Sequence, residues 1–154
     1  MRLTWRKNVP DGVAVQRGER VLAVGGETVA TDAALYLPGA DEHIRLPWEQ
    51  VEQATWQDGV LLVREVGGRR HTVPLAEPGS VPEAVRERVT ATVVVSTHVK
   101  LPAGGVRIVG RRPPTADGIL GWTFVFDRGL DPDDPGLLAQ AEQALEEIRR
   151  QTGL

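Results

Sequence analysis

The stretch Arg45–Val66, RLPWEQVEQATWQDGVLLVREV, decides the fold of the chain. It contains two apolar arms separated by Gln57-Asp58-Gly59. An Asp-Gly pair between apolar runs is a strong hairpin signal, because both turn residues must tolerate φ > 0. The stretch therefore predicts two antiparallel strands joined by a tight turn. The apolar side chains of the two arms are Trp48, Val51, Trp56, Val60, Leu61, Leu62, Val63 and Val66.

Short apolar segments alternate with turn-forming residues on both sides of this hairpin, as far as Ala76. The turn signals recur about every 8–12 residues, which favours a β-barrel or sandwich over βαβ units. The pattern therefore predicts an antiparallel meander of short strands. Besides the two hairpin arms, the expected strands are Val21–Val24, Glu27–Thr31, Ala34–Leu37 and His71–Leu75.

A helix is predicted after the meander. Ser80 and Glu83 have the spacing of a capping box, in which the hydroxyl and the carboxylate accept backbone N–H groups reciprocally. Val81, Val85 and Val89 recur at helical spacing and form a narrow apolar stripe. We therefore expect the helix to begin at this capping box.

Further strands are predicted beyond this helix. The β-branched run at residues 92–95 disfavours helix, and we expect a strand from there to about Leu101. A second strand is expected at Val106–Gly110. In Trp122–Phe126 the aromatic side chains alternate, which places them on one face that we expect to be buried.

The C-terminal segment has the signals of a second helix. Asp134 is a suitable N-cap, and Pro135 suits the first helical position. Gly153 suits the left-handed conformation that ends many helices. The apolar face of this helix is formed by Leu137, Ala141, Leu145 and Ile148.

The composition narrows the class of protein. A chain of 154 residues fits one domain, with or without an extension. The net charge of −3 argues against wholesale binding to nucleic acid or membrane surfaces, which usually requires a basic balance. The absence of cysteine excludes disulfides, thiolate chemistry and cysteine zinc sites.

The sequence also bears on location. No apolar run approaches the ~20 residues of a membrane span, and the first residues lack the apolar region of a secretory signal. We therefore expect a cytoplasmic protein. The basic residues are nearly all arginine, which we interpret, together with abundant Ala, Gly and Pro, as the mark of a GC-rich bacterial genome.

Three segments are similar to the pleckstrin-homology-like (PH-like) superfamily, and within it to bacterial PH-like and GRAM-type domains. Ala30–Leu37 resembles the T-x-x-x-L-Y strand of those families, Ile44–Val51 resembles the I-P-hydrophobic strand, and Leu61–Val63 belongs to the hairpin that follows. The chain also resembles a small group of uncharacterised bacterial proteins with the same ending, for which no activity can be carried over.

The resemblance implies an α+β fold with an antiparallel, PH-like, partly open β-barrel that is capped by the helix near Val81. We expect residues 1–12 to form a peripheral N-terminal segment and residues 13–92 to form the barrel with its capping helix. Residues 93–154 are expected to form a strand-and-helix extension packed on the barrel.

Neither catalytic residues nor a metal site are predicted. No two histidines are spaced as helical metal ligands, none has a carboxylate at a recognisable interval, and neither serine lies in a nucleophile elbow. The acidic residues between Asp127 and Asp134 offer oxygen ligands, but capping of the final helix explains them more simply. We therefore expect no catalytic residue, no metal and no cofactor. The residues considered for catalysis are His43, His71, His98, Ser80 and Ser96.

One charge pattern indicates a possible binding surface. No acidic residue occurs between Glu87 and Asp117. Such a positive patch on a net-acidic chain can hold a phosphate group or an acidic partner. It can equally be a solvated strand face whose arginines pair with the final helix. The candidate anion-binding residues in this window are Lys100, Arg107, Arg111 and Arg112.

Three hypotheses about function follow. The first is a non-enzymatic binding or scaffold module whose partner is another protein, contacted through a strand edge or through the apolar faces of the extension. The second is an anion or nucleic-acid binder that uses Arg107, Arg111 and Arg112, with an affinity that falls steeply with salt. The third is a small-molecule enzyme that uses His98 in a cleft between barrel and extension.

Overall fold

The computed structural model describes residues 9–114 and 120–154. These residues form ten strands, one 3-10 turn and two α-helices, and the strands pair antiparallel in three sheets. The expected α+β class is therefore confirmed. The chain divides into two compact units. Among the described residues the first unit contains 9–92 and 113–114, and the second contains 93–112 and 120–154.

The first unit contains two sheets and one helix. Its strands are β1 (Val21–Gly25), β2 (Thr28–Thr31), β3 (Ala34–Leu37), β4 (Ile44–Pro47), β5 (Val51–Gln57), β6 (Val60–Glu65) and β7 (Arg70–Pro74), and its helix is α1 (Val81–Thr92). Strands β1 to β4 form a four-stranded sheet in chain order, and β5 to β7 form a three-stranded sheet in chain order. The predicted meander is thus present as two successive sheets.

The hairpin between β5 and β6 is confirmed. Gln57 pairs with Val60 on either side of a two-residue turn. Asp58 has a φ of 53° and Gly59 a φ of 76°. Positive φ at both turn positions matches the twist of the flanking strands, which is why Asp-Gly is favoured there.

The first arm of the Arg45–Val66 stretch is interrupted, and the expected barrel does not close. A 3-10 turn at Trp48–Gln50 separates β4 from β5. Among the described residues β4 pairs only with β3, and β5 pairs only with β6. The described strands of this unit therefore form two antiparallel sheets and no closed barrel, and the PH-like, partly open arrangement stays a prediction.

Trp48 is the first residue of this interruption. Its side chain is fully buried, and its indole N–H donates to the carbonyl oxygen of Thr31 over 2.8 Å. In a continuing strand, successive side chains would alternate between the two faces of the sheet. Leu46 and Trp48 would share one face of such a strand, and both are buried, so the burial of the indole is compatible with either path. The 3-10 turn lies where the chain leaves the first sheet after Pro47 and enters the second at Val51.

The core of the first unit is formed by side chains from both sheets and from α1. The helix contacts β1, β2, β5 and the 3-10 turn, and it contributes the buried residues Val81 and Val85. The largest fully buried side chains of this cluster are Trp48, Leu35, Leu37, Leu61, Val51, Val63 and Val81.

The outer face of the first sheet is covered as well. Val29, Ala34 and Tyr36 form a second buried cluster, against which Val9 and Val15, which precede β1, pack. Because both faces are covered, every residue of β2 and β3 is buried. Strands β2 and β3 are therefore the most completely buried strands of this unit.

The second unit contains one sheet and one helix. Its strands are β8 (Val93–Leu101), β9 (Gly104–Arg111) and β10 (Gly121–Phe126), arranged in the order β10-β9-β8, and its helix is α2 (Pro135–Thr152). Val106 and Ile108 of β9 pack in one cluster with Ala141 and Ile148 of α2. The predicted aromatic face of β10 joins this cluster, but its rings are only half-buried because β10 is an edge strand.

Both ends of α2 match the sequence signals. The Asp134 carboxylate accepts a hydrogen bond from the N–H of Gly136 at 2.9 Å, and Pro135 is the first helical residue. Gly153 ends the helix with a φ of 73°. Local capping chemistry therefore determines the bounds of this helix.

Candidate functional site

A groove with a volume of about 320 Å³ lies between β5 and α1. Trp56 of β5 and Leu61 of β6 line one side, and Pro82 and Val85 of α1 line the other. Leu61 and Val85 are almost fully buried, so they form an apolar floor. A concave apolar surface of this kind is suited to binding another molecule.

The groove runs along the free edge of β5. This strand pairs only with β6 among the described strands, because the sheet order is β5-β6-β7. Beside a two-residue turn, the two residues that flank the turn form a hydrogen-bonded cross-strand pair, here Gln57 and Val60. Hydrogen-bonded and non-hydrogen-bonded pairs then alternate along the two strands. The backbone groups of Thr55 and Gln57 therefore face β6, whereas those of Ala54 and Trp56 face outward.

Trp56 gives this edge its apolar character. Its side chain is 37% exposed, and its cross-strand neighbour Leu61 is 1% exposed. An exposed tryptophan beside a buried floor can cover a large apolar area of a partner. The rim of the groove carries the exposed charged residues Glu83 and Arg86.

The four predicted anion-binding residues lie in the second unit in different environments. Lys100 and Arg107 are exposed and point to the same face of the sheet, since Lys100 pairs with Gly105 two positions from Arg107. Arg111 points to that face too, but it is buried and donates to the Thr123 hydroxyl at 2.9 Å. Arg112 follows the end of β9. The register therefore brings together two exposed cations of the four residues.

His98 and Asp127 lie on the same sheet face as Lys100 and Arg107. His98 Nε2 donates to Asp127 Oδ1 at 2.9 Å, and the N–H of Gly105 donates to Asp127 Oδ2 at 3.0 Å. The bond from His98 lowers the pKa of the Asp127 carboxyl, and the charge of Arg107 acts in the same direction. The carboxylate reduces the positive potential of this face, which weakens it as an anion site.

The other histidines are also held by acceptors. His71 Nε2 donates to Glu65 Oε2 at 2.5 Å, and His43 Nε2 donates to the carbonyl oxygen of Glu27 at 3.1 Å. Ser96 accepts a hydrogen bond from Arg107. Among residues 9–114 and 120–154, no group of three or more His, Asp or Glu side chains is arranged to hold a metal ion.

Sequence reasoning missed both histidine–carboxylate pairs. His98 and Asp127 are 29 positions apart, and only the register of β8, β9 and β10 brings them together. Glu65 and His71 are 6 positions apart across the turn at Gly67-Gly68. The glycine pair was a usable signal for this second case, since a hairpin there places the two strand ends side by side.

Comparison with known proteins gives no match: no family model, no curated protein and no solved structure is similar to this chain. The resemblance to PH-like domains therefore stays a prediction from the sequence pattern. In the part of the chain that the structure describes, no helix combines the length and the apolar character needed to cross a membrane.

Proposed function

We propose that the chain is a non-enzymatic binding module that recognises an extended segment of another protein at the free edge of β5. The groove between β5 and α1 carries this proposal. An added strand would pair with the outward backbone groups of Ala54 and Trp56, and its side chains would enter the groove.

The two kinds of contact have separate roles. Hydrogen bonds to the β5 backbone give affinity that does not depend on the partner's sequence, whereas the groove selects alternate side chains of the added strand. The floor of Leu61 and Val85 favours apolar side chains. Glu83 and Arg86 at the rim favour a partner that carries charges of both signs beside its apolar residues.

The test selects peptides on the whole chain from a phage-displayed random library. We expect enriched peptides in which apolar residues alternate. Replacing Trp56 by Ala should lower their affinity by about tenfold or more, because exposed tryptophans are frequent binding hot spots. The matched control is Leu62→Ala, since Leu62 is 42% exposed on the opposite face of the same sheet and should leave the affinity unchanged.

A second variant tests the backbone contact. Ala54→Pro removes an outward N–H, and proline is tolerated in edge strands where the N–H faces away from the sheet. This variant should keep the fold, as measured by circular dichroism, and lose peptide binding. The proposal would be contradicted if all variants bound with equal affinity or if no peptide were enriched. It would also be contradicted if binding vanished at moderate salt or if the bound peptides were cleaved.

A further inference from the structure

The outer face of the β5–β7 sheet, opposite the core, carries a second groove with a volume of about 360 Å³. Cross-strand partners share a face of an antiparallel sheet, so the pairing of the three strands arranges the side chains in two rows. The polar row is Gln53, Arg64 and Arg70, and the neighbouring row is Thr55, Leu62 and Thr72.

Arg64 and Arg70 are direct cross-strand neighbours of like charge. The backbone bonds of Glu65 to Arg69 and of Leu75 to Gly59 show that Arg64 and Arg70 form one of the non-hydrogen-bonded pairs between β6 and β7. In such pairs the Cα atoms are closest, at about 4.5 Å. Like charges in this position oppose sheet formation, so packing and pairing do not explain the two arginines.

Only one of the two charges is balanced by a neighbouring side chain. Arg64 Nε donates to Glu52 Oε2 at 2.8 Å, and Glu52 lies where the β5 register shifts between Val51 and Gln53. Arg70 is exposed, and among the described side chains no carboxylate forms an ion pair with it. The polar row therefore holds one anchored guanidinium and one guanidinium available to a ligand.

The neighbouring row supplies complementary groups. Thr55 and Thr72 are exposed and offer hydroxyl donors, and Leu62 between them is 42% exposed. The guanidinium of Arg70, the N–H groups of Arg64 that Glu52 does not engage and the two hydroxyl donors match the oxygens of a phosphate group, because arginine forms paired hydrogen bonds to phosphate. The exposed leucine offers a surface to an apolar part of the same ligand.

We propose that this outer face binds a small phosphate ester, with the phosphate between Arg64 and Arg70 and the organic part against Leu62. The size of the groove fits a small molecule, whereas a nucleic-acid strand or a membrane surface requires an extended basic face. The proposed phosphate site and the proposed peptide groove use side chains on opposite faces of the β5–β7 sheet, and Thr55 is the residue that borders both grooves.

The experiment titrates the full chain with phenyl phosphate and with inorganic phosphate, using calorimetry and amide chemical shifts. Both ligands should bind and shift residues of β5, β6 and β7, and phenyl phosphate should bind more tightly. Arg70→Glu should abolish both interactions, whereas Arg70→Lys should weaken them because lysine lacks the paired donors. Leu62→Ala should weaken binding of phenyl phosphate and leave that of inorganic phosphate unchanged.

The control is Arg17→Glu, which makes the same charge change at an exposed turn outside the sheet. It should leave both affinities unchanged, and Arg70→Glu should leave selection of peptides unchanged. The assignment would be overturned if binding did not saturate, or if Arg17→Glu and Arg70→Glu lost affinity equally. It would also be overturned if the chain bound vesicles with anionic lipid but not phenyl phosphate.

Discussion

The indole N–H of Trp48 donates to the carbonyl oxygen of Thr31 over 2.8 Å, and the ring is fully buried in the first unit. Trp48→Phe keeps an apolar ring but removes the donor from this carbonyl. We expect the free energy of unfolding to fall by about 1–3 kcal/mol, because a buried acceptor loses its partner and the smaller ring leaves space in the core. Urea denaturation measures the change.

The control for this prediction is Trp56→Phe, since Trp56 is 37% exposed. It should change the free energy of unfolding by no more than about 0.5 kcal/mol. Equal destabilisation by the two substitutions would show that the Trp48–Thr31 hydrogen bond has no special role.

Glu19 connects the residues just before β1 to the first sheet. Its nearly buried carboxylate accepts hydrogen bonds from the Tyr36 hydroxyl at 2.8 Å, from the Thr31 hydroxyl at 2.5 Å and from Arg45 Nε at 3.2 Å. Burial raises the pKa of Tyr36 above 10.0, and the hydrogen bond and the charge of Glu19 raise it further. The backbone N–H of Gln16 also donates to the Tyr36 hydroxyl, and this hydrogen bond lowers the pKa of Tyr36.

The chain contains one tyrosine, so the ultraviolet absorbance of tyrosinate reports Tyr36 alone. We expect the tyrosinate of the folded chain to form at a higher pH than that of a free tyrosine. Glu19→Gln should lower this midpoint, because the raising contributions of the carboxylate are removed. Glu87→Gln, at an exposed carboxylate, should leave the midpoint unchanged. An unchanged midpoint in Glu19→Gln would contradict the prediction.

The sequence correctly predicted those turns and helix ends that depend only on residues close together in the chain. The turn at Asp58-Gly59 and the two ends of α2 were predicted correctly, because positive φ and helix capping depend on residues next to each other. The break at Trp48 was missed. The apolar pattern continues through it and gives no sign of the 3-10 turn at which the chain passes from the first sheet to the second.

The candidate surfaces were less accessible to sequence reasoning. Lys100 and Arg107 were recognised as basic residues in an acid-free window, but the approach of Asp127 to that face depends on strand register. That Arg64 and Arg70 lie opposite each other likewise depends on the register of β6 and β7. Which residues oppose one another across a sheet follows from the exact pairing, and a shift of one position would change the face of every side chain.

Asp127 gives the second unit a pH-dependent contribution to stability. Its pKa in the folded chain lies below the ordinary 3.8, mainly because of the hydrogen bond from His98. The contribution is fully present above about pH 3.8 and is lost as the pH falls through the lower folded pKa. Asp127→Asn should remove this acid-dependent part, as measured by urea denaturation at a series of pH values. Asp41→Asn, at an exposed position, should retain it.

Gly105 leaves room for the pair of His98 and Asp127. A β-carbon at this position would overlap the imidazole and the carboxylate. Gly105→Ala should therefore separate the two side chains, and the His98 ring resonances should shift in NMR spectra. Because both changes disrupt one interaction, the effects of Gly105→Ala and Asp127→Asn on stability should be less than additive. Additive effects would show that the glycine does not position this pair.

One substitution of Arg70 should change the stability of the fold and the binding of the ligand in opposite directions. Arg70→Glu replaces a like-charge pair with an opposite-charge pair opposite Arg64. We expect the free energy of unfolding to rise by about 0.2–1 kcal/mol, because opposite charges at cross-strand positions stabilise a sheet. The same variant should no longer bind phenyl phosphate. Raising the salt concentration should reduce the gain in stability, since salt screens exposed charges. A variant that loses binding together with stability would instead indicate that Arg70 supports the sheet rather than a ligand.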